Sequence, residues 1–194
     1  MSTFNKAEYD EINLNATREV VTLLRNENGI LPLNPSLINQ TNKLIVTGPS
    51  ADLLTVLNGG WSYVWQGNNE LIYPTYWRNK TILESIKSHV DPNSVQYFNT
   101  SSFDQYYGID DLVNAASDAS YIVVCLGERP YTETPGNINE LTMDEAQLKL
   151  VEDIKSRTNK PIITVLVEGR PRIIRRIVSL SSAIIMMYLP GMEG

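Results

Sequence analysis

The feature that most constrains this 194-residue chain is a series of short apolar runs separated by longer amphipathic stretches. Three of the runs, at 121–126, 162–167 and 183–188, are free of charged residues. Runs of this kind are typical of strands that are buried on both faces of a parallel sheet. Two shorter strands are predicted at 44–47 and 95–98. Five strands with helices between them predict an α/β fold, a three-layer α/β/α sandwich with a mostly parallel sheet.

Helical patterns occupy the stretches between the predicted strands. The expected helices are one through 20–24 that stops at Asn28-Gly29, one that begins at Ser50, one over 81–90, one over 109–119 and one over 142–154. Thr142 and Glu145 have the spacing of a capping box, which predicts the start of the last of these helices.

Composition excludes several classes of function. The formal net charge is −6 and no basic stripe is present, which argues against a nucleic-acid partner. The apolar runs are far shorter than a membrane span, so no membrane partner is expected. Cys125 is the only cysteine, and it is predicted to be a small buried hydrophobe. The only histidine, His89, has no partner of metal-ligand type, so neither a metal nor a cofactor is predicted.

Glu128 is the first candidate for a chemical role. It follows Gly127 directly at the end of the predicted strand 121–126. In open α/β sheets the ligand crevice lies beyond the carboxyl ends of the strands, where a glutamate can donate a proton. The alternative is an ordinary solvated loop acid. Glu133 and Glu140 are rival carboxylates nearby, and both are better explained as loop or helix-start acids.

The second candidate segment is Gly59–Gly67, which we call the Trp loop. It contains Trp61 and Trp65, is rich in polar residues and is bounded by glycines. An indole ring can cover the apolar face of a pyranose while polar neighbours such as Gln66 reach its hydroxyls. We expect Trp61 to contact sugar and Trp65 to pack the loop onto the sheet. The alternative is that both rings serve only to pack the loop.

Several short motifs, taken in order, resemble the C-terminal α/β sandwich domain of family 3 glycoside hydrolases. They are an entry segment at 16–33, Val-Thr-Gly-Pro-Ser-Ala-Asp at 46–52, Gly-Trp…Trp-Gln-Gly at 60–67, Gly-Glu-Arg-Pro-Tyr-Thr-Glu-Thr at 127–134, Gly-Arg-Pro at 169–171 and Leu-Pro-Gly-Met-Glu-Gly at 189–194. The tryptophan and Gly-Glu elements resemble most closely the plant β-glucan exohydrolases and their bacterial relatives.

The resemblance implies a retaining, exo-acting β-glucosidase that removes terminal β-D-glucosyl residues from glucosides or β-glucans. A TIM-like barrel domain supplies the aspartate nucleophile in that family, and the sandwich domain supplies the general acid/base. The acid/base carries over to Glu128 and the stacking tryptophan to Trp61. Because the barrel is not in this sequence, the chain alone is expected to be inactive. A non-catalytic carbohydrate-binding domain is the alternative, and a flavodoxin-like nucleotide domain is disfavoured because no phosphate loop is present.

The expected organisation is an N-terminal extension or linker at 1–15 followed by the sandwich domain at 16–194, truncated at its C-terminal end. A β-glucoside or β-glucan and a barrel domain are the expected partners. A secreted or periplasmic location is expected for the longer protein. Four glycosylation sequons support it weakly, at Asn15, Asn39, Asn79 and Asn99. Without its partner domain, Glu128 is expected to be isolated and ionised, like a surface glutamate.

Overall fold

A computed structural model describes residues 7–73 and 80–194, so Asn79 lies outside the described residues. The strands are β1 Thr22–Asn26, β2 Lys43–Thr47, β3 Val95–Phe98, β4 Ala119–Gly127, β5 Ile162–Val167 and β6 Ala183–Met186. The helices are α1 Ala7–Val20, α2 Thr55–Asn58, α3 Ile82–His89, α4 Asp110–Ala115, α5 Glu145–Arg157 and α6 Arg175–Val178. Short 3-10 turns join several of these elements.

The strands form a single six-stranded sheet in the order β1-β6-β5-β4-β2-β3. Every neighbouring pair is parallel except β1 with β6, which is antiparallel. The predicted mostly parallel α/β sheet is therefore confirmed. The chain runs from β2 outward to β3 and then crosses to β4 on the other side of β2. The connections thus diverge between β2 and β4, which is where α/β sheets of this kind open a ligand crevice.

Two apolar clusters, one on each face of the sheet, form the core. One face packs against α4, α5 and α6, and the other packs against α2 and α3. Along β4, Ile122, Val124 and Leu126 point to the first face and Val123 and Cys125 to the second. Burial on both faces explains why this strand reads as an uninterrupted apolar run. Cys125 is fully buried, as predicted.

The N-terminal prediction was wrong. Helix α1 ends at Val20, and residues 22–26 form strand β1 instead of continuing the helix. The edge of β6 offers backbone N–H and C=O groups that require partners, and β1 supplies them through its antiparallel pairing. Leu23 and Leu24 remain more than half exposed, because β1 is an edge strand. The proposed domain boundary at residues 15 and 16 falls inside α1.

Two helix starts also differ from the prediction. The helix expected at Ser50 forms only as the short α2. Helix α5 begins after Asp144, and Thr142 is not its cap, because Thr142 donates its hydroxyl to Glu140 instead. The helix predicted over 81–90 is confirmed as α3.

The sheet face that carries Ile185 of β6 borders an apolar groove of about 360 Å³. Its walls come from β4, β5 and β6, from α3 and from the segment that contains Leu31 and Leu33. Within the described ranges, no helix is long and apolar enough to cross a membrane.

Gly127 closes β4 in a conformation that leaves no room for a side chain. Its φ is 153°, and a Cβ atom there would collide with the carbonyl group of Val167 on β5. We expect Gly127→Ala to lower the free energy of unfolding more than Gly108→Ala does. Both positions have positive φ, which strains an alanine by about 1–3 kcal/mol. Only Gly127 adds a collision, which costs about 1–3 kcal/mol more.

Urea denaturation of the two variants measures the difference. Gly108 is the matched control because no atom lies within 4 Å of the Cβ it would gain. Equal losses of unfolding free energy in the two variants would contradict the close approach of β4 to β5.

Candidate functional site

The candidate site lies at the carboxyl ends of β4 and β5. Gly127 pairs with Val167, and the backbone N–H of Glu128 donates to the carbonyl oxygen of Val167 at 3.2 Å. Glu128 and Glu168 therefore emerge side by side from neighbouring parallel strands. The predicted position of Glu128 at this edge is confirmed.

Glu128 is neither isolated nor exposed, contrary to the expectation from sequence. Only 8% of its surface is accessible, and its carboxylate pairs with two arginines. Arg170 donates Nε at 3.0 Å, and Arg172 donates Nη1 at 2.7 Å to the same Oε1 atom. Charge-assisted hydrogen bonds of this kind are shorter and stronger than those between neutral groups, so the two arginines hold the Glu128 carboxylate in place. The expectation failed because both arginines come from the segment after β5, far from Glu128 in sequence.

The two arginines also hold the surrounding backbone. Arg170 donates Nη1 to the carbonyl oxygen of Gly136 at 2.7 Å, and its guanidinium lies 4.0 Å from the centre of the Tyr131 ring. Arg172 donates to the carbonyl oxygens of Leu141 and Thr142. Arg170 therefore anchors the turn at Gly136. Arg172 was missed, although two arginines that flank a proline directly after a buried strand were a usable signal.

Glu168 is a second buried carboxylate that the sequence interpretation missed. It is 1% exposed, and its Oε1 accepts a hydrogen bond from the backbone N–H of Arg172 at 3.1 Å. Its Oε2 atom has no hydrogen-bond partner among residues 7–73 and 80–194. Burial raises the pKa of Glu168 to about 7. The Arg172 N–H opposes that shift, and the nearby Glu128 carboxylate adds to it. Its position directly after a buried strand, like that of Glu128, could have revealed it.

Glu133 differs from Glu128 in its exposure and in its contacts. Its side chain is exposed, and within the described part of the chain its carboxylate makes neither a hydrogen bond nor an ion pair. Its backbone has φ 53° and ψ −149°, a conformation that a residue with a side chain rarely adopts. Strain of this kind is concentrated at functional sites. The residues that follow Glu133 form the 3-10 turn Thr134–Gly136.

Glu140 is already engaged within its own loop. It accepts hydrogen bonds from the backbone N–H and the hydroxyl of Thr142, at 2.7 and 2.6 Å. The Thr142 hydroxyl lowers the pKa of Glu140, and the Thr142 N–H adds to this effect. The interpretation of Glu140 as a loop acid agrees with this geometry.

The Trp loop is tied to the segment that carries Glu133. Gln66 donates its amide nitrogen to the carbonyl oxygen of Thr132 at 3.2 Å, and its amide oxygen accepts from the Thr132 N–H at 3.0 Å. Gly60 packs so closely on Tyr131 and Thr132 that a side chain would not fit there. The fold thus brings the two candidate segments together. The Gln66 amide, expected to reach sugar hydroxyls, is used by the backbone instead.

Both tryptophans of the Trp loop are accessible. Trp61 is 66% exposed and has a φ of 62°. Its backbone N–H donates to the carbonyl oxygen of Trp65 at 2.9 Å. Trp65 is 49% exposed, so the expectation that it packs the loop onto the sheet was wrong. A cavity of about 320 Å³ lies beside the loop, lined among others by Gln66, Glu128, Tyr131 and Arg170.

The fold and the site define an α/β domain that presents carboxylates and exposed indole rings at the carboxyl edge of its sheet. Residues 21–194 match the model of the glycosyl hydrolase family 3 C-terminal domain. The chain therefore belongs to glycoside hydrolase family 3, as a domain of that C-terminal type.

Curated relatives agree with this membership. The chain is 37% identical over 199 aligned residues to a lysosomal beta glucosidase of Dictyostelium discoideum, covering 100% of the chain and 24% of the relative. It is 26% identical to a periplasmic beta-glucosidase of Salmonella typhimurium, covering 91% of the chain and 24% of that protein. The chain thus spans about a quarter of the length of these two relatives.

Solved structures have the same fold. A mutant exo-1,3/1,4-beta-glucanase from a Pseudoalteromonas species superposes with a TM-score of 0.74 at 27% identity, covering 96% of this chain and 28% of that one. A beta-glucosidase from Listeria innocua in complex with isofagomine superposes with a TM-score of 0.77 at 20% identity. That match covers 97% of this chain and 24% of the Listeria chain.

The raised pKa of Glu168 predicts an unusual pH dependence of stability. The carboxyl titrates at about 4.5 when unfolded and at about 7 when folded, so the folded state binds the extra proton between these values. The free energy of unfolding should therefore fall as the pH rises from about 4.5 to 7, by up to about 3 kcal/mol. Glu168→Gln should remove this component and raise stability at pH 8.

Denaturant titrations at several pH values measure how the free energy of unfolding changes with pH. Glu133→Gln, which alters an exposed carboxyl, is the control and should show the same pH dependence as the unchanged protein. Glu128, Tyr131 and Arg172 interact electrostatically with Glu168 and are unchanged in both variants. An unaltered slope in Glu168→Gln would show that Glu168 is not the titrating group.

Proposed function

We propose that this domain supplies the general acid/base of a retaining, exo-acting β-glucosidase that acts on glucosides or β-glucans. Membership in glycoside hydrolase family 3 and relatives named as beta-glucosidases support the reaction class. Retaining hydrolysis needs two carboxyl groups about 5–5.5 Å apart, one as nucleophile and one as proton donor. In our proposal a barrel domain contributes the nucleophile, and the edge of the sheet described above contributes the proton donor.

Glu133 fits the role of proton donor better than Glu128, although motif register favoured Glu128. A proton donor must hold a proton and reach the leaving oxygen. The Glu128 carboxylate is buried between two guanidinium groups, which bind it and shield it from a substrate. The Glu133 carboxyl is exposed and unpaired within the described residues, and it lies one residue from the Gln66–Thr132 contact. This accessibility is the observation that carries the assignment.

Glu128 then has a supporting role. By holding Arg170 and Arg172 it fixes the backbone at Gly136 and at Thr142, on either side of the loop that follows Glu133. A docked barrel would desolvate the exposed Glu133 carboxyl and bring an aspartate near it. Both effects favour the protonated form that a general acid needs.

Sugar recognition is assigned to Trp61. Its indole is the more exposed of the two in the Trp loop, and the loop is held against the Glu133 segment by Gln66. A ring exposed this widely is available to stack on a pyranose face.

The acid/base assignment is tested in a protein that joins this chain to a barrel domain. Glu133→Ala should reduce turnover of glucosides with poor leaving groups by about 10²–10⁴-fold, because their departure requires protonation. A dinitrophenyl glucoside should lose much less in the first step. Added azide should restore turnover and yield β-glucosyl azide, since a small anion needs no general base. This chain without a barrel should show no turnover.

Two further variants complete this experiment. Glu128→Ala should lower the rate for all leaving groups alike and resist azide rescue, because it displaces the arginines rather than removing the acid. Glu140→Ala is the control loop glutamate and should retain most activity. Leaving-group dependence that follows Glu128 would return the acid/base role to that residue, and dependence that follows none of the three would refute the proposal.

The role of Trp61 has its own test in the same protein. Trp61→Ala should raise KM for a β-glucan oligosaccharide by about tenfold, the equivalent of about 1.4 kcal/mol of lost stacking. Trp61→Phe should recover most of the loss, and Trp65→Ala should change KM less. A larger effect at Trp65 would move the stacking role to that residue.

A further inference from the structure

A second concave site lies on the same edge of the sheet, at the carboxyl ends of β2 and β3. Its cavity, of about 320 Å³, is lined by Asp52 after β2, by Tyr97, Asn99, Ser101 and Tyr107 in and after β3, and by Arg129 after β4. We call it the Tyr97–Tyr107 pocket. It lies beside the point where the connections from β2 and β4 diverge, the usual position of a ligand crevice in such sheets.

Several polar groups in this pocket lack a partner among the residues that the structure describes. Ser101 is 3% exposed, and its buried hydroxyl makes no hydrogen bond within residues 7–73 and 80–194. The Asn99 side chain and the hydroxyls of Tyr97 and Tyr107 make none within the same ranges. A buried hydroxyl without a partner is destabilising and calls for an external partner. Burial raises the pKa of Tyr97, and Asp52 adds to this effect, so the hydroxyl stays protonated and can donate a hydrogen bond.

Aromatic rings form the apolar part of the pocket. Tyr97 is 37% exposed and Tyr107 is 54% exposed, which leaves ring surface open to a ligand. Phe103 lies beneath the Arg129 guanidinium, 5.0 Å from the ring centre. Aromatic faces next to neutral hydroxyl and amide groups match a pyranose, which has apolar C–H faces and hydroxyls around its rim.

The charges of the pocket argue against an anionic ligand. Arg129 is paired with Asp104 at 3.1 Å, and Asp52 accepts the Thr81 hydroxyl at 2.8 Å. Because Arg129 is already paired with Asp104, a phosphate finds no free basic group in the pocket. The unpaired groups are neutral donors and acceptors.

The loop that forms the pocket is held in place by its own hydrogen bonds. The Tyr107 N–H donates to the carbonyl oxygen of Thr100 at 2.8 Å, and the Ser102 N–H donates to that of Gln105 at 2.9 Å. The hydroxyls of Thr47 and Thr100 bond at 2.7 Å and join the loop to β2. A preformed pocket avoids the entropy cost of ordering a loop when a ligand binds.

We propose that the Tyr97–Tyr107 pocket binds a further sugar unit of the oligosaccharide that contacts Trp61 of the Trp loop. Phe103 and Arg129 line both this pocket and the cavity that contains Glu128, so the two sites are neighbours. The identity of the sugar as a β-linked glucan rests on the proposed function, whereas binding of a neutral oligosaccharide does not.

The test titrates the 194-residue chain with cellotetraose and with laminaritetraose, using nitrogen-15 NMR. Backbone amide signals of Ser101 and Tyr107 should shift together with those of the Trp loop. Tyr107→Ala should weaken binding about tenfold, the equivalent of losing one aromatic stacking contact. Ser101→Ala should weaken it less. Tyr9→Ala, which removes an exposed tyrosine from α1, is the control and should leave the affinity unchanged.

The outcomes separate the two proposals, because binding requires no turnover. Shifts confined to the Trp loop, with unchanged affinity in Tyr107→Ala and Ser101→Ala, would overturn the pocket and leave the acid/base assignment intact. Inorganic phosphate that shifts the Ser101 and Tyr107 signals while tetrasaccharides do not would also overturn it. If Tyr107→Ala does not fold, Tyr107→Leu and Ser101→Ala carry the test. If the tetrasaccharides bind as expected but azide does not rescue Glu133→Ala, the proposal for the Tyr97–Tyr107 pocket is supported and the acid/base role of Glu133 is refuted.

Discussion

The buried pairing of Glu128 with Arg170 and Arg172 is the interaction on which the rest of the site depends. It joins the end of β4 to the segment after β5 and, through the arginines, to the backbone at Gly136 and Thr142. Removing one partner of such a buried pair leaves the other charge buried without a counter-ion, which typically lowers the free energy of unfolding by about 3–5 kcal/mol. The segments around the pair therefore keep one arrangement. Glu168 adds to this order by binding the Arg172 backbone, so that two carboxylates on adjacent strands hold one arginine from two directions.

The central strands could be predicted from the sequence because burial on both faces leaves an unbroken apolar run, as in 121–126 and 162–167. Edge strand β1 could not. Its leucines are exposed, its pairing is antiparallel, and its apolar spacing fits a helix as well as a strand. What decides its structure is the open edge of β6, more than 150 residues away in sequence, to which no local pattern refers.

The candidate site was predictable to a similar extent. Glu128 could be located at the sheet edge because it directly follows a buried strand. Its environment could not be predicted, because the arginines that bind it come from 42 and 44 residues further along the chain. The preference for Glu128 over Glu133 rested on motif register, and register carries no information on whether a carboxylate is already paired. The exposure and unusual backbone of Glu133 are visible only after folding.

The reciprocal contact between Gln66 and Thr132 has a mechanical consequence. Two hydrogen bonds from a single side chain fasten the loop that presents the indoles to the residue immediately before Glu133. A movement of the Trp loop is therefore transmitted to Thr132 and to its neighbour Glu133. If Trp61 stacks on a sugar, a small change in the position of that sugar displaces the Glu133 carboxyl. A poorly fitting sugar would then be disfavoured at the chemical step as well as at binding.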